Sequence, residues 1–381
     1  GGRMRLTGQQ NAVLRDIVAW RQAGGSEFYL AGYAGTGKST VVDAVLDELS
    51  NHKLLSRDRV RTGTYTGKAA DVLRRKGIDG AQTIHSMIYT PTQDPQTGET
   101  TFEINPDGPA ANADLIVLDE VSMVPEAMAA DLRSFGKPLL VIGDPGQLPP
   151  VKGQGGFTSR EPDAFLSEIH RQAAESPIIR LATAARQGDP IQFGDYGDGV
   201  RVVPYDGDAG QYVYDEGAQV ICGIHRHRIG LTQRIRRARG FGGPEPQVGE
   251  RIMICRNDRE KGIFNGQLGW LAEPMTRSRD LPDGREAVVR LDDRDAKMSL
   301  TVDPYLFRAH FAERSAAQKP PSGVKVHHVD WGYVLTCHKA QGSQWQRVTA
   351  LDDSRSFRDD ARRWLYTAIT RAESELTIIK R

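Results

Sequence analysis

The sequence has few cysteines, no long apolar run and almost no net charge, and each scarcity excludes something. The three cysteines in 381 residues, Cys222, Cys255 and Cys337, stand far apart, without the spacing of a zinc site or a disulfide framework. They read as core thiols of a protein from a reducing compartment. No apolar stretch approaches the roughly 20 residues of a membrane span. No signal-peptide pattern precedes the first helix, so the expected compartment is the cytoplasm, with no membrane contact. Lys+Arg total 50 against 49 Asp+Glu, a formal charge of +1. That balance neither requires nor excludes nucleic acid, because a basic groove can coexist with acidic outer faces. A hydrophobic share of 39% with 26% charged residues is that of a globular chain long enough for two or more domains.

What is present begins with Phe28 to Thr40, FYLAGYAGTGKST. The apolar run Phe28 to Ala31 reads as a buried strand. Gly32-x-x-x-x-Gly37-Lys38-Ser39 follows at once, and then the helical pattern Val41, Val42, Val45, Leu46, Leu49. Strand, phosphate loop and helix stand in the order a nucleotide site needs. The glycines let backbone N–H groups turn inward around phosphates, and the helix N-terminus adds its positive dipole end. Gly35, Thr36, Gly37, Lys38, Ser39 and Thr40 are the candidate nucleotide contacts, with Lys38 and the Ser39 hydroxyl directed to the β/γ-phosphates and Mg²⁺.

Before this loop, Thr7 is a candidate N-cap for a helix with Val13, Leu14, Ile17 and Val18 on its core side, and Gln9 or Gln10 can present an amide to an adenine edge. After it, the β-rich Val60 to Tyr65 runs into Thr66-Gly67-Lys68, at a strand end where open α/β sheets place ligands. Thr64, Thr66 and Lys68 are candidates for the phosphates of a bound polymer; a plain helix cap with a solvated lysine is the alternative. Between Met87 and Ala113 a turn-rich segment separates Tyr89-Thr90 from Thr100 to Ile104, the pattern of an inserted β-hairpin. Leu115 to Leu118 is an apolar strand ending in Asp119-Glu120. Beside a phosphate loop, Asp119 can hold Mg²⁺ and Glu120 can orient and deprotonate the attacking water. The next strand, Leu139 to Ile142, leads into the Gly/Pro-dense loop Gly143 to Pro150, which can hold Gln147 at the γ-phosphate.

The series GYAGTGKST, TYTGKAA, TIHSM, LIVLDEVSMV and VIGDPGQLPPV resembles the first motor domain of a superfamily 1 helicase. LSEIHRQAAESPIIRLA, LTCHKAQGSQWQRV and LYTAITRAESELTII are similar to motifs of the second. DEVSM with GDPGQLPP and HKAQGS points to the RecD/Dda-like group of superfamily 1B, whose members are 5′-to-3′ DNA helicases. The resemblance runs from Leu6 to the C-terminus. It implies two RecA-like α/β motor domains, residues 1–86 with 114–170 and residues 171–248 with 324–381. The hairpin at 87–113 would be a duplex-splitting pin, with Tyr89 and Phe102 as candidates for the splitting aromatic. Residues 249–323 would hold an SH3-like β-barrel and a helical arm over Tyr305 to Ala317.

The resemblance also supplies roles. Arg171 and Arg371 match the arginines that reach the γ-phosphate from the second domain; Gln9, rather than Gln10, matches the adenine-contacting glutamine. His85, Thr336, His338 and Ser343 join the candidate DNA contacts. The basic stretch His225 to Arg239 reads either as a phosphate-tracking helix or as a solvated helix face. The expected protein is a monomer that uses ATP and Mg²⁺ on single-stranded DNA and its junctions with duplex. A DNA-stimulated ATPase that remodels protein–DNA complexes without unwinding, and a small-molecule P-loop enzyme, remain as alternatives.

Overall fold

The computed structural model describes residues 5–93, 95–96, 100–150, 155–258, 260–292, 294–311 and 316–381. Along the first part of the chain run β1 (Glu27–Gly32), β2 (Val60–Thr64), β3 (Gln82–Thr83), the hairpin strands β4 (Tyr89–Gln93) and β5 (Thr100–Ile104), then β6 (Leu115–Asp119), β7 (Leu139–Gly143) and β8 (Ala164–Leu166). Interleaved are α1 (Gly8–Gln22), α2 (Lys38–Asn51), α3 (Gly67–Arg75), α4 (Ile84–Ile88) and α5 (Glu126–Arg133). Six of these strands form one parallel sheet in the order β3-β2-β6-β7-β1-β8. Its central strands β6, β7 and β1 are nearly continuous apolar runs because both faces are covered. Ile116, Leu118, Leu139 and Val141 enter one core cluster, while Leu115, Val117, Leu140 and Ile142, pointing the other way, enter a second. β4 and β5 pair only with each other, as the expected hairpin; part of its tip, residues 94 and 97–99, lies outside the described residues.

The chain next forms α6 (Arg171–Ala174), α7 (Pro177–Gln187), β9 (Gly194–Gly197), β10 (Val200–Pro204), α8 (Gly210–Val213), β11 (Gln219–Cys222) and α9 (His225–Ala238). It leaves for an antiparallel sheet of β12 (Arg251–Ile254), β13 (Leu268–Leu271), β14 (Thr276–Arg277), β15 (Arg285–Leu291), β16 (Lys297–Val302) and β17 (Val329–Trp331), with α10 (Tyr305–Arg308) before β17. It returns through β18 (Val334–Thr336), α11 (Cys337–Ala340), β19 (Trp345–Leu351), α12 (Ala361–Ile369) and β20 (Ala372–Lys380). The second sheet has the order β18-β11-β19-β20-β10-β9, parallel except for the edge strand β9. The antiparallel sheet is welded to it: Ile252, Leu271 and Val289 share one core with Val220, Leu231 and Ile235. No helix among the described residues is long and apolar enough to cross a membrane.

β17 and β18 lie in different sheets, parted at Gly332, where a Cβ would lie 2.5 Å from the Ile252 carbonyl oxygen. Two expectations change. The arm does not run helical from Tyr305 to Ala317. α10 and one 3₁₀ turn, Ala309–Phe311, pack back onto β17 with Phe307 fully buried against Trp331; residues 312–315 lie outside the described residues. The basic helix α9 turns two of its arginines inward. Arg228 donates to Asp330 and to the Val334 and Trp331 carbonyls, and Arg236 pairs with the fully buried Glu250. Long cationic side chains survive burial only with such partners.

Candidate nucleotide cleft and nucleic-acid face

The phosphate loop leaves β1 and enters α2 through Gly35 and Gly37, both left-handed, with φ of +81° and +80°. Glycine is required here twice over. A Cβ on Gly37 would lie 2.3 Å from the Gln10 side chain, and one on Gly35 would press on Ala173 and Ile179 of the second domain at 3.2 Å. Lys38 lies back along the loop with its ammonium on the Gly32 carbonyl at 2.7 Å, Thr36 is fully buried, and Ser39 is exposed at the mouth. At the end of β6, Glu120 adopts a left-handed backbone, φ 53°, uncommon for a residue with a Cβ, and its N–H donates to the Asp119 carboxylate at 2.9 Å. Burial, then the charge of Glu120, push the Asp119 carboxyl up to about 6, with Lys38 opposing. Among the described residues no group of three or more His, Cys, Asp and Glu forms a preassembled metal cage.

The second domain grips this cleft through the loop after β7. Asp144 accepts from the Tyr366 hydroxyl of α12 at 2.7 Å, and the same hydroxyl accepts the Ala34 N–H of the phosphate loop at 2.7 Å. The Gln147 amide donates to Thr370 Oγ1 at 3.1 Å and accepts from the Arg371 guanidinium at 3.2 Å. The Leu148 N–H donates to Thr367 Oγ1 at 2.8 Å, while its side chain sits in the core of the second domain. Gly146 makes the approach possible, since a Cβ there would lie 2.8 Å from the Tyr366 ring. Arg371 is 2% exposed and also held by the Thr367 and Ser343 carbonyls. Arg171 opens α6 at the exposed side of the phosphate loop; the preceding His170 caps α6 and donates its N–H to the Gly35 carbonyl at 3.1 Å.

The candidate DNA contacts divide into two kinds. Thr64 is fully buried and donates to the Thr66 carbonyl at 2.9 Å, so its hydroxyl is closed to a polymer and the expectation for it fails. Thr66 and Thr336 cap α3 and α11 through their hydroxyls, and the buried Ser343 gives its carbonyl to Arg371. Even so, the two domains converge here. A Cβ on Gly342 would lie 3.4 Å from Thr66 Oγ1, one on Gly67 would lie 3.3 Å from the Phe264 ring, and Lys339 donates to Asn265 at 2.8 Å. Lys68 opens into the same junction, beside Gln267 and Trp345. His338 packs on Phe357, and burial lowers its pKa. His85, Tyr89 and Phe102 form an aromatic cluster at the base of the hairpin; the Tyr89 hydroxyl reaches Asp131, and Phe102 is 36% exposed.

A family model described as an AAA domain matches residues 5–204, and one described as a UvrD-like helicase C-terminal domain matches residues 332–379. The ATP-dependent RecD2 DNA helicase of Deinococcus radiodurans is 27% identical over 97% of this chain and 48% of its own length. The RecBCD enzyme subunit RecD of Mycolicibacterium smegmatis is 26% identical over 92% of this chain and 67% of its own. The chain belongs to the RecD/Pif1-like group of superfamily 1B helicases. It spans about half the length of the RecD2 relative. A Bacteroides Pif1 helicase solved with ADP-AlF₃ and single-stranded DNA shares the fold, with a TM-score of 0.52 at 17% identity over 99% of this chain and 92% of its own.

For a RecD/Pif1-like chain, the structure parts the two glutamines and brings in a tyrosine that no role was given. Gln10, not Gln9, touches the phosphate loop. Its amide donates to the Thr36 carbonyl at 2.9 Å while its oxygen closes a capping box with the Thr7 N–H. Gln9 instead engages Ser167 and the Glu168 N–H at the end of β8. Tyr366 is one tyrosine among 11 in the sequence. It stands in the motif LYTAITRAESELTII, five residues before Arg371 and four before Thr370, the residue that caps α12.

Proposed function

We propose that this chain is the motor of an ATP-dependent DNA helicase that moves 5′ to 3′ on single-stranded DNA, as a monomer, and separates duplex at a junction. The observation that carries this reading is the clamp on the 144–148 loop, which ties the phosphate loop of one domain to α12 of the other through Tyr366, Thr367, Thr370 and Arg371. The names of the relatives support it: the RecD2 protein is an ATP-dependent DNA helicase.

The cleft suits ATP and Mg²⁺. Gly35 and Gly37 leave a cradle that side chains would fill, and α2 presents its N-terminus to it. Lys38, with its ammonium on a carbonyl, is poised for a phosphate instead. Ser39 and Asp119 would hold the metal; a carboxyl whose ionisation is resisted by burial and a neighbouring acid gains most from a cation. When bound, the metal neutralises charge on the transferring phosphoryl group. Glu120 orients the attacking water and takes its proton. Arg371, steered by Gln147, and Arg171 bring positive charge from the second domain, so hydrolysis depends on how the two domains sit. Gln9 in this reading borders the adenine.

At the other face, Thr66, Lys68, Thr336 and Lys339 border the junction that a single strand would cross, with His85 and His338 flanking it. Backbone and stacking contacts of this kind favour little sequence preference. The β4–β5 hairpin would be the pin, with exposed Phe102 meeting the bases and Tyr89 anchored to Asp131. The antiparallel sheet would be the SH3-like barrel. The test is ATP-dependent strand separation on matched duplexes bearing a 5′ or a 3′ single-stranded tail, with magnesium. Unwinding of only the 5′-tailed substrate is expected. Unwinding of only the 3′-tailed one reverses the direction, and DNA-stimulated ATP hydrolysis without unwinding reduces the motor to a translocase.

A further inference from the structure

Outside the cleft, the outer face of the antiparallel sheet carries an unusual row. Trp270 lies on β13 with Arg251 of β12 directly opposite on one side and Arg290 of β15 on the other, and Lys297 of β16 faces Arg290. Cross-strand partners share a face, so the four side chains stand side by side over about 14 Å, three strand spacings. Trp270 is 42% exposed, although β13 is an interior strand of the sheet and its other residues are buried. The Arg251 guanidinium lies 5.0 Å from the Trp270 ring centroid, fixed there by two hydrogen bonds of 2.7 Å to Asp292.

Beside Trp270 opens a cavity of about 290 Å³ against the second motor domain. It holds a second arginine–aromatic pair, Arg239 at 5.2 Å from the Tyr333 ring, and a further indole, Trp345. Trp345 and Asp292 also line the junction where Lys68 of the first domain emerges, so the groove continues from a candidate DNA contact to the Trp270 row. Flat aromatic faces flanked by guanidinium and ammonium groups are the chemistry that takes a base by stacking and its phosphate by charge.

We propose that Trp270, with Arg251, Arg290 and Lys297, is an auxiliary single-stranded DNA site that stacks one base and holds the adjoining phosphates of the strand passing Lys68. This rests on the helicase reading above and extends it to a surface outside the motor motifs. Arg251 is pre-oriented by Asp292, so the platform exists before the strand arrives.

The test is equilibrium binding of a fluorescein-labelled oligothymidylate long enough to cover both motor domains and the sheet, without nucleotide, with oligomer-stimulated ATP hydrolysis of the wild type alongside. Trp270→Ala should weaken binding by roughly 5- to 100-fold, and Trp270→Phe, which keeps a ring, should bind within about threefold of wild type. Arg290→Ala should lower the slope of log affinity against log salt by about 0.7. Thermal melting checks that each exposed variant is folded. Stimulated hydrolysis in the wild type together with unchanged binding by Trp270→Ala overturns this site and leaves the helicase reading standing. A wild type that neither binds the oligomer nor is stimulated by it overturns both.

Discussion

The candidate nucleotide cleft and the candidate nucleic-acid face use similar side chains in opposite ways. At the cleft, polar groups reach across the domain boundary: Tyr366 bridges Ala34 and Asp144, Arg371 meets Gln147, and Thr367 takes the Leu148 N–H. At the face, hydroxyls of the same type stay at home, with Thr64 inside its own turn and Thr66 and Thr336 capping their own helices. The difference teaches that chemistry between the domains depends on specific side chains. In the proposed reading, grip on a polymer would fall instead to lysines, aromatic rings and the backbone that the caps hold in shape.

The largest effect that tests this contrast belongs to Lys38→Ala. It should reduce ATP hydrolysis to background while the melting curve stays that of a folded protein; persistent turnover in the purified variant would remove the phosphate loop from the reaction. Next comes Arg171→Ala. Arg171 is exposed and its loss leaves no cavity, so nucleotide binding should survive while steady-state hydrolysis falls on the order of 10³-fold. An unaltered rate would take Arg171 out of the cleft.

Tyr366→Phe isolates the cross-domain contact. It keeps the buried ring against Gly146 and deletes the hydroxyl between Ala34 and Asp144. Burial and the Asp144 charge both raise the phenol's pKa, so it is a neutral donor throughout the accessible pH range. A hydrogen bond to a carboxylate contributes about 1.5–3 kcal/mol, so turnover should drop roughly tenfold or more, with nucleotide-free DNA affinity unchanged. Equal losses in both would mean that the tyrosine supports the fold rather than the coupling. On the face, Thr64→Val should cost about 1 kcal/mol of stability and leave oligonucleotide affinity alone. Lys68→Ala should do the reverse, leaving stability intact and weakening binding severalfold.

Much of this molecule can be read from residue patterns. The apolar runs at 115–118 and 139–142 fall on observed strands, because burial on two faces leaves a direct trace in residue type. The phosphate loop and Asp119-Glu120 are legible for the same reason: their spacing is local. What is not legible is who faces whom. Nothing in the run of arginines in α9 indicates that Asp330 and Glu250 wait opposite two of them, 102 and 14 residues away. Asp303-Pro304 signals where a helix starts but not that Phe307 packs on Trp331 or that α10 passes into a 3₁₀ turn after Arg308. Tyr366 escapes for the same reason, since its partners are 222 and 332 residues distant.

The smallest expected effect separates the two regions by acid. His225 and His328, which share a cavity with Thr336 and Lys339, and His338 between those two residues have pKa values lowered mainly by burial; Arg228 and Arg256 reinforce the first two, and Asp360 opposes the shift of His338. The unfolded chain therefore takes up protons first as pH falls. The stability these neutral rings contribute is complete above the unfolded value of about 6.5 and is lost as pH drops through their folded values. The DNA-free protein should melt at progressively lower temperature below that pH. His338→Gln, which removes one proton acceptor from a site against Phe357, should flatten the decline by about 2 °C. A decline of unchanged steepness in His338→Gln would show that this ring does not titrate with folding, and would leave His225 and His328 to account for the acid limb.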